Sequence, residues 1–195
     1  MKVVCYIQAR GGSKRFPGKN KHKWDGVPFV VNAIYKAQMA EIFDLVMVTS
    51  DDVEILDLAR DAGALPVLRS QAMSGDLVTD DQLAEEVLLP LSGFDIACKL
   101  YPCVPLLDPD DLTAAYYALL DSEEDYLRAV DKEGRDAGAF YFFRVQPAID
   151  YTISKLNRLD YILDYCQDIN TLEDLGHAKQ KQILIDAKRD ENEDN

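Results

Sequence analysis

The residues best suited to chemistry form one basic, glycine-rich stretch, Ala9-Arg10-Gly11-Gly12-Ser13-Lys14-Arg15-Phe16-Pro17-Gly18-Lys19-Asn20, which directly follows an apolar run at positions 3–7. Glycines let backbone N–H groups approach phosphate oxygens, and arginine and lysine donate charge-assisted hydrogen bonds to a group that carries several negative charges. The stretch matches neither the P-loop, which ends in Gly-Lys-Ser/Thr, nor the dinucleotide-binding G-x-G-x-x-G. It therefore predicts a phosphate-binding loop of another kind.

The charge distribution limits the classes of ligand that the chain is expected to bind. Residues 1–23 contain seven of the 21 Lys and Arg and none of the 35 Asp and Glu, in a chain of net charge −14. Such an acidic chain disfavours nucleic acid and anionic membranes, whereas its basic N-terminal segment suits a small polyanion such as a triphosphate. Lys21 and Lys23 could equally be solvated lysines of the loop.

The pattern of apolar residues indicates which elements position this loop. Strands are expected at 3–7, 45–48, 65–68 and 96–101, and helices at 27–40, 53–62 and 109–120, with a further helix opened by the capping box Thr79-x-x-Gln82. This alternation predicts an α/β fold with three layers and a mainly parallel sheet. In such a fold the loop after the first strand lies in the ligand-binding crevice.

The second half of the chain is less regular. A short strand is expected at 126–130 within an acidic segment at 122–135, a strong strand at 139–145, and a closing helix after Asn170. We expect residues 1–187 to form a single cytoplasmic domain without a signal peptide or a membrane span, and residues 188–195 to be a frayed charged tail. The cysteines at positions 5, 98, 103 and 166 lack C-x-x-C spacing and are expected to be reduced and mostly buried.

Further motifs appear in a fixed order along the chain: Thr49-Ser50-Asp51-Asp52, Leu68-Arg69-Ser70, Tyr101-Pro102-Cys103-Val104-Pro105, Asp136-Ala137-Gly138 and Asp168-Ile169-Asn170-Thr171. Together with the glycine-rich loop, they resemble the cytidylyltransferases for acylneuraminic, legionaminic, pseudaminic and ketodeoxyoctonic acids. The resemblance covers most of the chain and is greatest to the pseudaminic acid branch. It implies a Rossmann-like nucleotidyltransferase fold.

The resemblance also implies substrates, a cofactor and a role for each matching residue. The substrates would be CTP and a sialic-acid-like sugar acid, whose anomeric hydroxyl attacks the α-phosphate and releases pyrophosphate. Arg10 and Lys19 would be catalytic, because they stabilise the developing charge. The nucleotide would be bound by Ala9, Arg10, Gly11, Gly12, Ser13, Lys19, Asn20, Arg69 and Thr79, the sugar by Tyr101 and Asp136, and Mg²⁺ by Asp168 and Asn170. Thr79 could instead be only a helix N-cap, and Asp51-Asp52 could simply begin a helix.

The sequence departs from that family at three places. Relatives bind the metal with two aspartates that flank one residue, whereas this chain has Asn170 in the second position, where an amide oxygen brings no charge and where Asn170 with Glu173 also suits a helix cap. The Pro-Thr-x-Pro of relatives has Cys103 in place of the threonine. Only residues 121–135 separate the expected helix from Asp136, where relatives carry a projecting segment that pairs two subunits. Relatives also draw part of the sugar pocket from the partner subunit, so the resemblance implies neither the usual dimer nor the choice of sugar for this chain.

Three functions are therefore compatible with the sequence. The first is an active sugar-acid cytidylyltransferase. The second is a relative that binds a nucleotide or sugar without turnover, which the Asn170 change favours. The third is nucleotidyl transfer to a different acceptor, and pyrophosphate release from CTP distinguishes the three.

Overall fold

The computed structural model describes residues 1–70, 87, 90, 93–151 and 155–193. A short 3₁₀ turn at Lys19–Lys21 follows the glycine-rich stretch. The strands and longer helices are, in chain order, β1 (Val3–Gln8), β2 (Lys23–Trp24), β3 (Val27–Pro28), α1 (Phe29–Met39), β4 (Leu45–Ser50), α2 (Val53–Asp61), β5 (Leu65–Leu68), β6 (Ile96–Leu100), α3 (Pro109–Leu120), β7 (Tyr126–Val130), β8 (Asp136–Arg144), α4 (Val145–Asp150), β9 (Arg158–Ile162) and α5 (Leu172–Glu193).

In the described part of the chain, seven strands form one mainly parallel sheet in the order β5-β4-β1-β6-β8-β7-β9. Strand β1 pairs in parallel with β4 on one side and with β6 on the other. Strand β8 is antiparallel to both of its neighbours, β6 and β7. The next strand of the sheet, β4, thus lies on one side of β1, and the later strand β6 lies on the other side. At this point the strand order reverses, and the carboxyl ends of the strands form a crevice.

The sheet is buried on both faces, which explains why its central strands are continuous apolar runs. On one face, Cys5 and Ile7 of β1 pack against Val30 and Ile34 of α1, in a cluster that also includes residues of α3. On the other face, alternate residues such as Tyr6 pack with residues of β8 and α4. These layers hold the β1 carboxyl end rigidly, so the loop that follows it starts from a fixed point.

Most expected elements are confirmed to within two residues, including the strands at 3–7, 45–48, 65–68, 96–101 and 126–130. Asp52 does begin a helix, since its side chain accepts a hydrogen bond of 2.9 Å from the Glu54 N–H at the start of α2. The helix expected from Val27 starts at Phe29 instead, because Val27 and Pro28 pair with β2. Thr79 and the helix it was expected to open lie outside the described residues.

In the second half of the chain, two strands and the closing helix differ from what the sequence suggested. Strand β8 begins at Asp136 rather than Ala139, and β9 at Arg158–Ile162 was not foreseen. The chain expected to fray from Lys188 is helical to Glu193, because alanine, lysine, arginine and glutamate near its end are strong helix formers. No helix in the described part of the chain has both the length and the apolar character that a bilayer span requires.

Candidate active site

The glycine-rich loop is held against the sheet by its own backbone. The Ala9 N–H donates to the Thr49 carbonyl at 3.0 Å, and the Gly11 N–H donates to the Asp51 carboxylate at 2.8 Å. A Cβ atom at Gly11 would lie only 2.9 Å from the Cβ of Asp52, closer than such atoms approach in folded proteins. The tight packing against α2 therefore requires glycine at this position.

Asn20 anchors the far end of the loop. Its side chain is buried, with the Nδ2 donating to the Arg10 carbonyl at 2.7 Å and the Oδ1 accepting from the Cys103 thiol at 3.2 Å. Gly18 has a φ of 69°, a left-handed value that glycine adopts without strain and that turns the chain into the Lys19–Lys21 turn. Asn20 thus ties the loop to the segment after β6.

Arg69 follows β5 and is 8% exposed. Its Nη2 donates to the hydroxyl of Thr49 at 2.9 Å and to the Thr49 carbonyl at 3.3 Å. These bonds to β4 fix the guanidinium beside the loop. An arginine placed in this way can present its charge to an anion.

A cavity of about 520 Å³ lies at the carboxyl ends of β1 and β6. It is lined by Gln8, Arg10, Ser13, Lys14, Arg15, Lys19, Asn20, Arg69, Tyr101, Pro102, Cys103, Asp168 and Asn170. Five of these described lining residues are cationic and one is acidic, which suits a triphosphate. The structure therefore brings together eight residues predicted from the sequence, namely Arg10, Ser13, Lys19, Asn20, Arg69, Tyr101, Asp168 and Asn170. Ala9, Gly11 and Gly12 form the loop backbone behind them.

Sequence reasoning did not assign Gln8, Lys14, Arg15, Pro102 or Cys103 to the cavity. Gln8 is the last residue of β1, and its position immediately before the loop was the signal available for it. Its buried Nε2 has no hydrogen-bond partner among the described residues. A buried amide that can still donate is suited to a ligand carbonyl or phosphate oxygen.

The side chain of Asn170 lies between Lys19 and Asp168. The ammonium of Lys19 donates to Asn170 Oδ1 at 3.0 Å, and Asn170 Nδ2 donates to Asp168 Oδ2 at 2.5 Å. The Ile169 N–H donates to the Cys103 carbonyl at 3.0 Å, which docks this segment against the cavity. Burial raises the pKa of Asp168, while the charge of Lys19 and the bond from Asn170 oppose that shift.

The expectation that Asn170 and Glu173 form a helix cap is wrong. Thr171 and Asp174 form the cap instead: the Asp174 carboxylate accepts from the Thr171 N–H at 2.8 Å, and the Asp174 N–H donates to the Thr171 hydroxyl at 3.2 Å. The same carboxylate also accepts from the Asn170 N–H at 2.9 Å. The cap therefore fixes the backbone of Asn170 and leaves its side chain to Lys19 and Asp168.

The donor set suits a metal that binds through few protein ligands. No group of three or more His, Cys, Asp or Glu in the described residues could hold a metal by itself. Mg²⁺ commonly takes one or two carboxylates together with waters and substrate phosphates, so Asp168 fits an ion that a nucleotide completes. Asn170 presents its nitrogen to Asp168, and its oxygen becomes a ligand only if the amide turns away from Lys19.

A second cavity, of about 560 Å³, adjoins the first and shares Asp168 and Asn170 with it. Asp136 lines this second cavity, whereas Tyr101 lines the first, so the two residues predicted to face the sugar lie in adjacent cavities. Tyr141 connects them, because its hydroxyl donates to Asp136 at 2.8 Å and its ring centroid lies 5.9 Å from that of Tyr101. Burial raises the pKa of Tyr141 well above its ordinary value, so it remains a donor.

The chain is similar in sequence to a family model and to known proteins. The family model described as Cytidylyltransferase matches residues 4–139. The chain is 30% identical to the pseudaminic acid cytidylyltransferase of Campylobacter jejuni subsp. jejuni serotype O:2, over 92% of this chain and 95% of that protein. It is also 30% identical to the CMP-N,N'-diacetyllegionaminic acid synthase of Legionella pneumophila subsp. pneumophila, over 59% of this chain and 52% of that protein.

A solved structure shares the fold at low sequence identity. It is a CMP:2-keto-3-deoxy-manno-octonic acid synthetase complexed with CTP, with a TM-score of 0.76 and 15% identity, over 94% of this chain and 99% of that one. This confirms the expected nucleotidyltransferase fold. Since the family model spans most of the chain and includes the glycine-rich loop, Arg69 and Tyr101, the chain belongs to the cytidylyltransferase family.

Proposed function

We propose that the protein transfers CMP from CTP to the anomeric hydroxyl of a sialic-acid-like sugar acid, such as pseudaminic acid, and releases pyrophosphate. The observation that carries this proposal is the pairing of two cavities that meet at Asp168. The first is strongly cationic and suits the triphosphate, and the second is large enough for a sugar acid. The Campylobacter jejuni relative, which matches over almost its whole length, supports pseudaminic acid as the first acceptor to test.

The residues of the chain would act mainly by alignment and by charge. Holding the two substrates in adjacent cavities converts an encounter in solution into a reaction within one complex. The acceptor oxygen forms a bond to the α-phosphorus as the bond to pyrophosphate breaks. Arg10 and Lys19 donate to the phosphate oxygens on which charge develops, and Asn20 keeps the loop that carries Arg10 in place.

Asp168, and Asn170 once its amide is turned, would hold Mg²⁺. The ion, when bound with CTP, would polarise phosphate oxygens and stabilise the departing pyrophosphate. Because Asp168 is the one carboxylate among the described residues that line the first cavity, we expect metal binding to depend strongly on CTP. Lys19, which donates a hydrogen bond to Asn170, would supply positive charge beside the same phosphate oxygens.

The second candidate is a relative that binds CTP without turnover. The observation that favours it is the position of Asn170, whose amide bridges Lys19 and Asp168 where a metal would otherwise contact both side-chain oxygens. This protein would bind nucleotide in the first cavity and release no pyrophosphate.

The test is an assay of pyrophosphate release. The chain is incubated with CTP, Mg²⁺ and, separately, pseudaminic acid, N,N'-diacetyllegionaminic acid and ketodeoxyoctonic acid, with ATP, GTP and UTP as nucleotide controls. We expect release that requires CTP and one of the acids, with the CMP-sugar identified by mass spectrometry. Silence with all three acids, despite CTP binding in calorimetry, would favour the binding-only function. Release with other alcohols alone would point to a different acceptor.

A further inference from the structure

The second cavity lies between two connecting segments of the chain. The turn at 131–135, which joins β7 to β8, forms one side, and the loop at 163–168 after β9 forms the other. The Lys132 ammonium reaches across to the Asp164 carboxylate at 3.0 Å and closes the two sides together. The turn between β7 and β8 is thus short and contacts the loop after β9.

Among the described residues, six carboxylates and three cations line this cavity, and every one of these cations except Lys181 is paired with at least one of these carboxylates. Arg135 pairs with Asp131 at 2.7 Å and with Glu133 at 2.8 Å. Lys132 pairs with Asp164, as described. Lys181 is the exception among the cations that line the cavity, because it forms no ion pair with any described residue.

Lys181 is nevertheless held in a defined position. Its Nζ donates to the Cys166 carbonyl at 3.1 Å and to the side-chain oxygen of Gln167 at 2.8 Å. Both acceptors are neutral, so Lys181 can still form a direct ion pair with a ligand, even though carboxylates such as Asp168 and Asp174 line the same cavity. An ammonium has three N–H donors, and two protein bonds leave one donor for a ligand.

We propose that the second cavity binds the acceptor sugar acid and that Lys181 binds its carboxylate. This inference rests on the proposed function for the identity of the acceptor. A carboxylate would complete the third bond of Lys181 and neutralise it, and the sugar would then extend towards Asp168, which borders the CTP cavity. Lys181 is therefore a residue that sets acceptor specificity and is not one that acts on the phosphates.

The experiment compares Lys181→Gln, Lys181→Arg and the control Lys179→Gln, an exposed lysine of the same helix outside both cavities. Acceptor KM is measured by pyrophosphate release at saturating CTP, and CTP affinity and direct acceptor binding are measured by calorimetry. Lys181→Gln should raise the acceptor KM by about 10- to 100-fold, the range of a hydrogen bond to a charged group. It should leave CTP affinity unchanged, and Lys181→Arg should restore the KM to within a few-fold. Lys179→Gln should behave as wild type.

A neutral analogue of the sugar acid tests whether Lys181 recognises the charge of the carboxylate. With the carboxamide of the same sugar, wild type and Lys181→Gln should have equal affinity, because the charge that Lys181 recognises is gone. Equal KM values for the acid in both proteins, or an equal loss for acid and carboxamide, would overturn the proposal. If the wild-type protein releases no pyrophosphate, the proposed function fails, but calorimetry with the sugar acid still tests the role of Lys181. If the wild-type protein does not bind the acid, the proposed role of Lys181 is overturned.

Discussion

Lys19 and Asn170, 151 residues apart in the chain, are joined by a 3.0 Å hydrogen bond from the lysine ammonium to the amide oxygen. The bond connects the phosphate-binding loop to the segment that carries Asp168, the carboxylate shared by both cavities. Because the other end of the amide donates to Asp168, Asn170 holds a cation and a carboxylate on its two sides without adding charge. We therefore expect this one side chain to control how tightly the proposed site binds a metal.

Replacing Asn170 by aspartate tests whether the site only lacks one charge. In an active enzyme, Asn170→Asp should tighten Mg²⁺ and raise CTP turnover, because a hard dication gains most from an added anionic oxygen. Asp168→Ala should abolish activity. Pyrophosphate release is measured as a function of Mg²⁺ concentration, and Asn157→Asp, which adds the same charge at an exposed position, is the control.

The same variant gives the opposite result in a protein that only binds nucleotide. Without an ion, the new carboxylate would lie beside Asp168, and the repulsion would lower the thermal midpoint slightly even with Lys19 nearby. An Asn170→Asp protein that is less stable with and without Mg²⁺, and silent towards every sugar acid, would contradict catalysis.

Lys19→Ala and Arg10→Ala should each weaken CTP binding by about 1 to 3 kcal/mol, the range for hydrogen bonds to charged groups. Both residues line the first cavity, so their loss removes contacts to the triphosphate. Calorimetry gives the affinity and circular dichroism checks the fold. Lys23→Ala is the control, because Lys23 is an exposed lysine of the same basic segment outside the cavity. CTP affinity equal to wild type in both test variants would refute the assigned roles.

The sequence was informative wherever a local pattern determines structure. The burial of β1, β4 and β6 on both faces makes them apolar runs, and the loop after β1 is then placed by the topology of a parallel sheet. Strand β9 could not be recognised in this way, because it is a short strand at the edge of the sheet with alternating exposed charges at Arg158 and Asp160. Its pairing with β7 depends on contacts distant in sequence.

The site was only partly predictable for a similar reason. Arg10, Lys19 and Arg69 follow apolar strands or lie in a distinctive loop, so their type and position indicated their place. The second cavity depends on how the turn at 131–135 contacts the loop at 163–168, and no periodicity or motif in the sequence predicts that contact. Lys181 has the same appearance in the sequence as its exposed neighbour Lys179, and only the bonds to Cys166 and Gln167 distinguish it.

Gly11→Ala should destabilise the protein by about 1 to 3 kcal/mol, a typical cost of forcing extra atoms into a packed site. The new Cβ would lie 2.9 Å from the Cβ of Asp52, which also accepts from the α2 N-terminus and pairs with Lys21 at 2.9 Å. Gly12→Ala is the matched control, because its Cβ would meet nothing within 4 Å. Urea denaturation of both variants measures the difference, and equal stability of the two would contradict the packing described.

Cys103 should resist alkylation in the folded protein. Burial raises the pKa of its thiol to about 12, so almost no reactive thiolate exists at pH 8. Iodoacetamide should label it only after unfolding in urea, as detected by peptide mass spectrometry. Rapid labelling of native protein at pH 8 would show that the thiol is accessible.

The same shift predicts a dependence of stability on pH. The unfolded thiol ionises near pH 9 and the folded thiol near 12, so the contribution of Cys103 is complete below pH 9 and is lost as pH rises towards 12. Cys103→Ser cannot ionise there, and its free energy of unfolding should fall less steeply across this window than that of wild type. Parallel curves for the two proteins would argue against the raised pKa.

Gly138→Ala should impair catalysis through Asp168. Gly138 has a φ of 58°, and its added Cβ would lie 3.2 Å from Asp168 Oδ2 and 3.4 Å from the Asp168 Cβ, so the carboxylate must move. Gly26→Ala is the control, because its φ of 85° imposes a similar backbone strain while its Cβ meets nothing within 4 Å and the residue lies outside both cavities. Both variants should lose about 1 to 2 kcal/mol of stability from the left-handed backbone. Only Gly138→Ala should lower pyrophosphate release, by roughly 10- to 100-fold at limiting Mg²⁺, as expected when a positioning group is displaced by a fraction of an ångström to one ångström. If the two variants lost stability equally and kept equal turnover, the position of Asp168 would not matter for the reaction.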